Sequence, residues 1–166
     1  MVVLYSVVEF IGPQWSKVVL RGNYSVKIDE KGRLKIPAVF RSAMQDRYGT
    51  QVYVTSRKHE GVVVNIYPMP VWEEMERKLA TLPPSLPELA RYVDLVNYYG
   101  QPGEIDKQGR VSIHPLLRES AAMAGDVDVL GQLDHLDVWN HERFATRMAD
   151  EPFTDADARK LSEFGI

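Results

Sequence analysis

Two short segments combine an aspartate, a glycine and an arginine in the same order and at the same spacing. They are Asp29-Glu30-Lys31-Gly32-Arg33 and Asp106-Lys107-Gln108-Gly109-Arg110. An aspartate and an arginine four residues apart can form an ion pair across a turn. A hydrolase that uses a carboxylate pair would need a nucleophile and a base placed together, and the sequence shows no such constellation. A cation at the mouth of a turn is suited to binding anions. The two segments therefore favour binding over catalysis.

The two segments are copies of one another, displaced by 77 positions in a chain of 166 residues. Each copy leads into an apolar residue pair and then a proline, at Ile36-Pro37 in the first and near Ile113-His114-Pro115 in the second. An internal repeat at a fixed offset indicates that one supersecondary unit has been duplicated.

The residues around the first segment alternate between apolar and polar. This pattern on both sides of a polar turn predicts a β-hairpin, with Asp29 at the first turn position and Gly32 at positive φ. The pleat would place one set of side chains inward: Tyr24, Val26, Ile28, Leu34 and Ile36. It would place the cations Lys27, Arg33 and Lys35 outward on one common face.

The second segment keeps the apolar pattern and loses most of the charge. Glu104 stands where the first copy has Lys27, and Ser112 stands where it has Lys35, whereas Arg110 is retained. Asp106 and Gly109 repeat the residues that build the turn. We therefore predict a duplicated fold in which the first copy binds the anionic partner, and the role of Arg110 is left open.

The composition limits the possible functions. The chain is 45% hydrophobic, as expected for a globular core, and has no cysteine, which excludes disulfides and thiolate metal sites. Four isolated histidines do not make a zinc site. No nucleophile elbow, phosphate-binding glycine loop or dinucleotide fingerprint is present. We expect a non-enzyme with no cofactor, no metal and no small-molecule substrate.

Charge is distributed unevenly along the chain. The net charge is −3, but residues 21–60 hold nine Lys/Arg against four Asp/Glu, whereas residues 101–166 hold seven against thirteen. Such asymmetry indicates that the basic part faces a polyanion. The alternative is that the acidic half keeps the protein in solution.

Periodicity predicts hairpin, helix, hairpin and helix in each half. The predicted helices are 37–49, 72–82, 88–99, 115–124, one capped by Asn140, and 155–164, and the further strands are 51–56, 62–67, 127–130 and 136–139. The proline-rich run 83–87 marks a boundary. The predicted divisions are an extension 1–20, unit one 21–82, a linker and helix 83–99, unit two 100–149 and a tail with a helix at 150–166. The apolar stretch 2–11 contains Glu9 and predicts neither signal peptide nor membrane anchor.

The chain resembles the MraZ family over residues 20–150. The residues that carry the resemblance are Arg21-Gly22, Asp29-x-Lys31-Gly32-Arg33-Leu34-x-Ile36-Pro37, Arg41, Tyr67-Pro68-x-Pro70-x-Trp72, Asp106-x-x-Gly109-Arg110 and the segment 129–139. The resemblance implies an α+β fold, mainly β, made of two tandem AbrB-like swapped-hairpin units with flanking helices and a pseudo-twofold within one chain.

The resemblance also implies a function. Members of this family are bacterial transcriptional regulators that form ring-shaped homo-oligomers. They bind double-stranded DNA at short direct repeats upstream of the cell-division and cell-wall gene cluster, including their own promoter. We therefore expect a repressor located in the cytoplasm with the nucleoid. The alternative is an antitoxin-like protein-interaction module of the same fold that binds no DNA.

Candidate site residues come from the family resemblance and from the predicted outward face of the first hairpin. The family's Asp-x-x-x-Arg contact element nominates Lys31 and Arg33, with Arg21 as a further candidate. The predicted outward face adds Lys27, Lys35 and Arg41, and the second turn adds Arg110. We expect Arg33 to read bases, the lysines to contact phosphates, and Asp29 to orient Arg33.

Overall fold

The computed structural model describes residues 19–57 and 61–166. Most of the predicted extension 1–20 and the turn residues Lys58, His59 and Glu60 lie outside the described part. The strands are β1 (Asn23–Lys27), β2 (Arg33–Lys35), β3 (Gln51–Thr55), β4 (Val64–Pro68), β5 (Gln101–Glu104), β6 (Arg110–Ser112), β7 (Asp126–Gly131) and β8 (Leu136–Asn140). The helices are α1 (Ala38–Tyr48), α2 (Met69–Leu79), α3 (Pro87–Tyr98), α4 (Pro115–Ser120), α5 (His141–Asp150) and α6 (Asp155–Ser162).

Six strands form one antiparallel sheet in the order β1-β7-β8-β4-β3-β5, and β2 pairs with β6 as a separate two-stranded ribbon. The order is symmetric about the β8–β4 pair, where Asn65 lies opposite Asp137. The repeat seen in the sequence is thus a pseudo-twofold in space, and the fold is α+β and mainly sheet, as predicted.

The two halves exchange their first strands. β1 pairs with β7 of the second half, and β5 pairs with β3 of the first half. The predicted hairpin between β1 and β2 is therefore wrong beyond its turn, since a single bridge, Ile28 to Leu34, joins these segments. The predicted alternation was right, but it carries no information about which strand is the partner.

Alternation along the sheet produces two faces with different coverings. One face, here called the ribbon face, packs under the β2–β6 ribbon, α1 and α4, and its buried core includes Leu34, Phe40, Val111 and Leu117. The opposite face, here called the helix face, carries a second buried cluster: Tyr53, Tyr67, Val71, Trp72 and Val96. This second cluster joins the sheet to α2 and α3.

The helices match the predicted ones with shifted ends. α2 begins at Met69 and ends at Leu79, three residues earlier than predicted at each end. The earlier start is possible because Pro70 is tolerated in a first helical turn. α4 ends at Ser120 instead of Ala124, and Ala122 adopts φ +50. This left-handed residue stops the helix one turn early. None of the six described helices is long and apolar enough to span a bilayer.

Candidate nucleic-acid interface

The β2–β6 ribbon presents one buried and one outward row of side chains. Leu34 and Val111 lie opposite one another and are fully buried. The pleat therefore directs their neighbours away from the core. The outward row contains Arg33, Lys35, Arg110 and Ser112, with Lys35 opposite Arg110 and Arg33 opposite Ser112. The structure thus brings together three of the predicted site residues, one of them from the second copy.

The turn before β2 fixes Arg33. Asp29 Oδ1 accepts hydrogen bonds from the backbone N–H groups of Lys31 and Arg33, both at 2.9 Å, and Oδ2 accepts from Arg33 Nε at 2.6 Å. The hydrogen bonds from the Arg33 backbone, then its side chain and Lys31, hold the pKa of Asp29 below 3.8. Within the described residues the terminal nitrogens of Arg33 make no hydrogen bond. Asp29 therefore orients a guanidinium whose outer fork stays available.

The turn before β6 has the same geometry. Asp106 Oδ1 accepts from the backbone N–H groups of Gln108 at 2.8 Å and Arg110 at 2.9 Å, and Oδ2 accepts from Arg110 Nε at 2.9 Å. The backbone of Arg110 is the main cause that lowers the pKa of Asp106. The Arg33 and Arg110 side chains are also similarly exposed, at 27% and 28%. Gln108 stands where the first turn has Lys31, and this difference in sequence leaves the turn geometry unchanged.

An arginine from the opposite half covers the glycine of each turn. Gly32 has φ +74, and a Cβ there would lie 1.8 Å from Arg118 Nη1; Gly109 has φ +79, and a Cβ there would lie 2.2 Å from Arg41 Nη1. Arg118 Nη1 also donates to the Lys31 carbonyl at 3.2 Å. Arg41, predicted as a DNA contact, therefore lies over the second turn, and Arg118 was missed although it lies 77 residues after Arg41.

Backbone hydrogen bonds lock the two turns to each other. Ile36 N donates to the Gly109 carbonyl at 2.9 Å, and Ile113 N donates to the Gly32 carbonyl at 3.1 Å. Each turn is thereby held by the strand end that follows the other turn. These bonds join the ribbon and both turns into one hydrogen-bonded unit, as a preorganised binding element requires.

Two predicted contact residues lie elsewhere. Lys27 is on β1, and its neighbours Val26 and Ile28 pack against the core. The alternation of the strand therefore directs the Lys27 side chain to the helix face. Lys27 Nζ lies 3.9 Å from Asp126 Oδ1, and the side chain is 82% exposed. Arg21 precedes β1, at the opposite end of that strand from Asp29. The predicted common face of Lys27, Arg33 and Lys35 is therefore wrong, because it assumed that β1 and β2 pair.

The exposed turn tips carry further cations. Lys31 is exposed at the first tip, and Lys107 is exposed at the second. Lys107 was not among the predicted site residues. Its position between Asp106 and Gly109 was the available signal. Among residues 19–57 and 61–166, no group of His, Asp or Glu side chains could hold a metal ion.

Comparison with known proteins identifies the family. The family model described as "MraZ protein, putative antitoxin-like" matches residues 19–91 and 101–164. A protein of Acidobacterium capsulatum named "Transcriptional regulator MraZ" is 46% identical over 148 residues, which is 89% of this chain and all of that protein. Proteins with the same name from Koribacter versatilis and Pseudoalteromonas atlantica are 44% and 31% identical, again over 89% of this chain and all of their own length. The duplicated turns, the exchanged strands and these matches have one explanation: the chain belongs to the MraZ family.

Proposed function

We propose that this protein is a sequence-specific DNA-binding transcriptional regulator that inserts the β2–β6 ribbon into the major groove. The observation that carries the proposal is the outward row of Arg33, Lys35 and Arg110, with both arginines held by aspartates. A two-stranded ribbon fits the major groove of B-DNA. The relatives named as transcriptional regulators support the same conclusion.

Each tethered arginine is suited to reading guanine. A guanidinium contacts the O6 and N7 acceptors of guanine with two parallel donors. Asp29 and Asp106 engage Nε alone, which fixes the plane of the guanidinium and leaves its terminal nitrogens for the base. Such preorganisation reduces the entropy lost on binding.

The exposed lysines are suited to phosphate contacts. Lys31 and Lys107 lie at the two turn tips, and Lys35 lies on the outward row beside Arg110. Contacts of this kind position a protein on the duplex without reading sequence, and they make affinity fall with salt. Arg41 and Arg118 act as positioning residues, because each covers the turn of the opposite half.

A single ribbon offers few contacts, so the proposal includes a ring-shaped homo-oligomer that binds short direct repeats. Several ribbons on one assembly gain affinity through effective concentration when the repeats match their spacing. The expected targets are repeats upstream of the cell-division and cell-wall gene cluster, including the protein's own promoter, with repression in the cytoplasm as the outcome.

The test is a binding titration with the DNA upstream of the protein's own gene at two salt concentrations. Loss of one bidentate arginine–guanine contact should weaken binding of Arg33→Ala by about 5- to 150-fold. Arg91→Ala is the matched control, since Arg91 is 71% exposed on α3, across the sheet from the ribbon. Equal binding by Arg33→Ala and wild type would reject the ribbon as the reading element. It would favour the alternative of a protein-interaction module.

A further inference from the structure

The two halves of the sheet are covered unequally on the helix face. In the first half, α3 returns across α2, and Val96 is buried among Tyr53, Tyr67 and Trp72. The Val96 carbonyl accepts hydrogen bonds from Tyr53 Oη at 3.2 Å and Thr55 Oγ1 at 2.7 Å. The first half is thus closed by a second helix.

The second half has an open cleft where the first half has α3. In the pseudo-twofold, Trp139 takes the place of Tyr67 and Phe144 that of Trp72, with ring centroids 5.6 Å apart. The cleft has a volume of about 580 Å³. Its lining includes Arg57, Leu130, His135, Trp139, Phe144 and Met148. Met148 is 58% exposed, so apolar surface remains uncovered.

The C-terminal segment, residues 151–166, does not fill the cleft of its own chain. Seven residues join α2 to α3, whereas four join α5 to α6. Every residue from 148 to 166 is exposed. α6 is nevertheless well defined, because Thr154 and Asp157 form a reciprocal capping box at its start.

The C-terminal segment carries an apolar stripe with no covering. Leu161 lies in the last turn of α6, Phe164 lies in the turn that follows the helix, and Phe153 and Ile166 flank them. Phe153 is 70% exposed and Phe164 is 72% exposed. Exposed apolar residues grouped on one short segment mark an interaction site.

Charge distinguishes the cleft from the segment. The cleft lining contains Arg57 and Arg147 against one carboxylate, Asp137. Arg147 lies 3.5 Å from Glu151, the first residue of the C-terminal segment, so this arginine already pairs with an acidic side chain of that segment. The C-terminal segment contains four acidic side chains against Arg159 and Lys160. Its net negative charge complements the cleft.

We infer that the C-terminal segment of one copy docks in the cleft of a second copy, with Phe164 and Leu161 against Trp139, Phe144 and Met148. The contact is heterologous, because the two surfaces differ, and repeated contacts of this kind close into a ring when the rotation allows. This inference rests on the homo-oligomer in the proposed function and assigns the surfaces that build it.

The first experiment compares the mass of full-length variants by light scattering after size exclusion. Phe164→Asp should reduce the assembly to smaller species, while Val39→Asp, which places the same charge at a 59% exposed site on α1, should keep the wild-type mass. Circular dichroism checks that both variants are folded. A monomeric wild type would contradict the homo-oligomer itself. An oligomeric wild type with an unchanged Phe164→Asp would reject only this docking contact.

The second experiment uses the absence of cysteine from the chain. Met148→Cys and Phe164→Cys are mixed as single variants and treated with a short bismaleimide. A cross-linked dimer that forms in the mixture, and in neither variant alone, is expected. Cross-linking within Phe164→Cys alone would indicate tail-to-tail pairing and would overturn the inference. So would an intramolecular cross-link in the double variant.

Discussion

Arg118 in α4 lies across Gly32, the glycine of the turn in the opposite half, and donates from Nη1 to the Lys31 carbonyl at 3.2 Å. Arg41 likewise lies across Gly109. The helix of each half thus supports the turn of the other half. Substitution of either arginine should therefore affect the turn that it contacts directly, although that turn lies far away along the chain.

Gly32→Ala should destabilise the protein more than Gly125→Ala. Both glycines have positive φ, +74 and +69, so both substitutions cost about 1–2 kcal/mol of backbone strain. Only at Gly32 would the new Cβ also displace Arg118, since nothing lies within 4 Å at Gly125. The midpoint of thermal unfolding should fall further for Gly32→Ala, by about 2–4 °C for each additional kcal/mol. Equal midpoints would show that Arg118 yields without cost.

Ser112→Lys should make the affinity for DNA depend more steeply on salt concentration. Ser112 is the pseudo-symmetric counterpart of Lys35 on the outward row. One added phosphate contact should steepen the plot of log affinity against log salt by about 0.9. Ser85→Lys, at an exposed position between α2 and α3, is the control for added charge. An unchanged slope for Ser112→Lys would place this end of the ribbon away from the backbone.

Stability should fall at acid pH because of the two turn aspartates. Hydrogen bonds lower the pKa of Asp29 and Asp106 in the folded protein below 3.8. Their contribution is therefore complete above about pH 5, and it is lost as pH falls through 3.8 and below. The double variant Asp29→Asn and Asp106→Asn should show a shallower fall of the unfolding midpoint between about pH 5 and 3. Asp94→Asn, on α3, is the control for replacing an aspartate outside the two turns.

His135 should make the stability of the protein fall as pH rises near neutrality. Burial alone lowers its pKa, but hydrogen bonds and charge from Asp134 and Asp137 outweigh burial and raise it above 6.5. Stability from His135 is therefore complete below pH 6.5 and is lost as pH rises through the higher folded value. The difference in unfolding midpoint between wild type and His135→Gln should shrink from pH 6 to about pH 8. A constant difference would contradict a raised pKa for His135 in the folded protein.

The local features of the site could be predicted from the sequence. Asp29, Gly32 and Arg33 have roles that depend on neighbours within four residues, and their turn geometry matches the prediction. Asn140 caps α5 through a bond from Arg143 N for the same reason. Such bonds are set by residue type and spacing alone.

Pairing between distant segments could not be predicted. An alternating strand such as β1 fits any partner with a matching apolar face, so its partner β7 depends on the whole fold. The misplacement of Lys27 followed from that error. Arg118 differs, because applying the 77-residue offset to Arg41 would have identified it.

The exchange of first strands has a consequence for synthesis. β1 leaves the ribosome before its partner β7, which follows about a hundred residues later. At typical elongation rates this separation corresponds to a delay of about 5–20 s. β3 likewise exposes an unpaired edge until β5 has been made. The nascent chain therefore carries aggregation-prone edges until β5 and β7 have been made, and neither half can reach its final structure before the other has been translated.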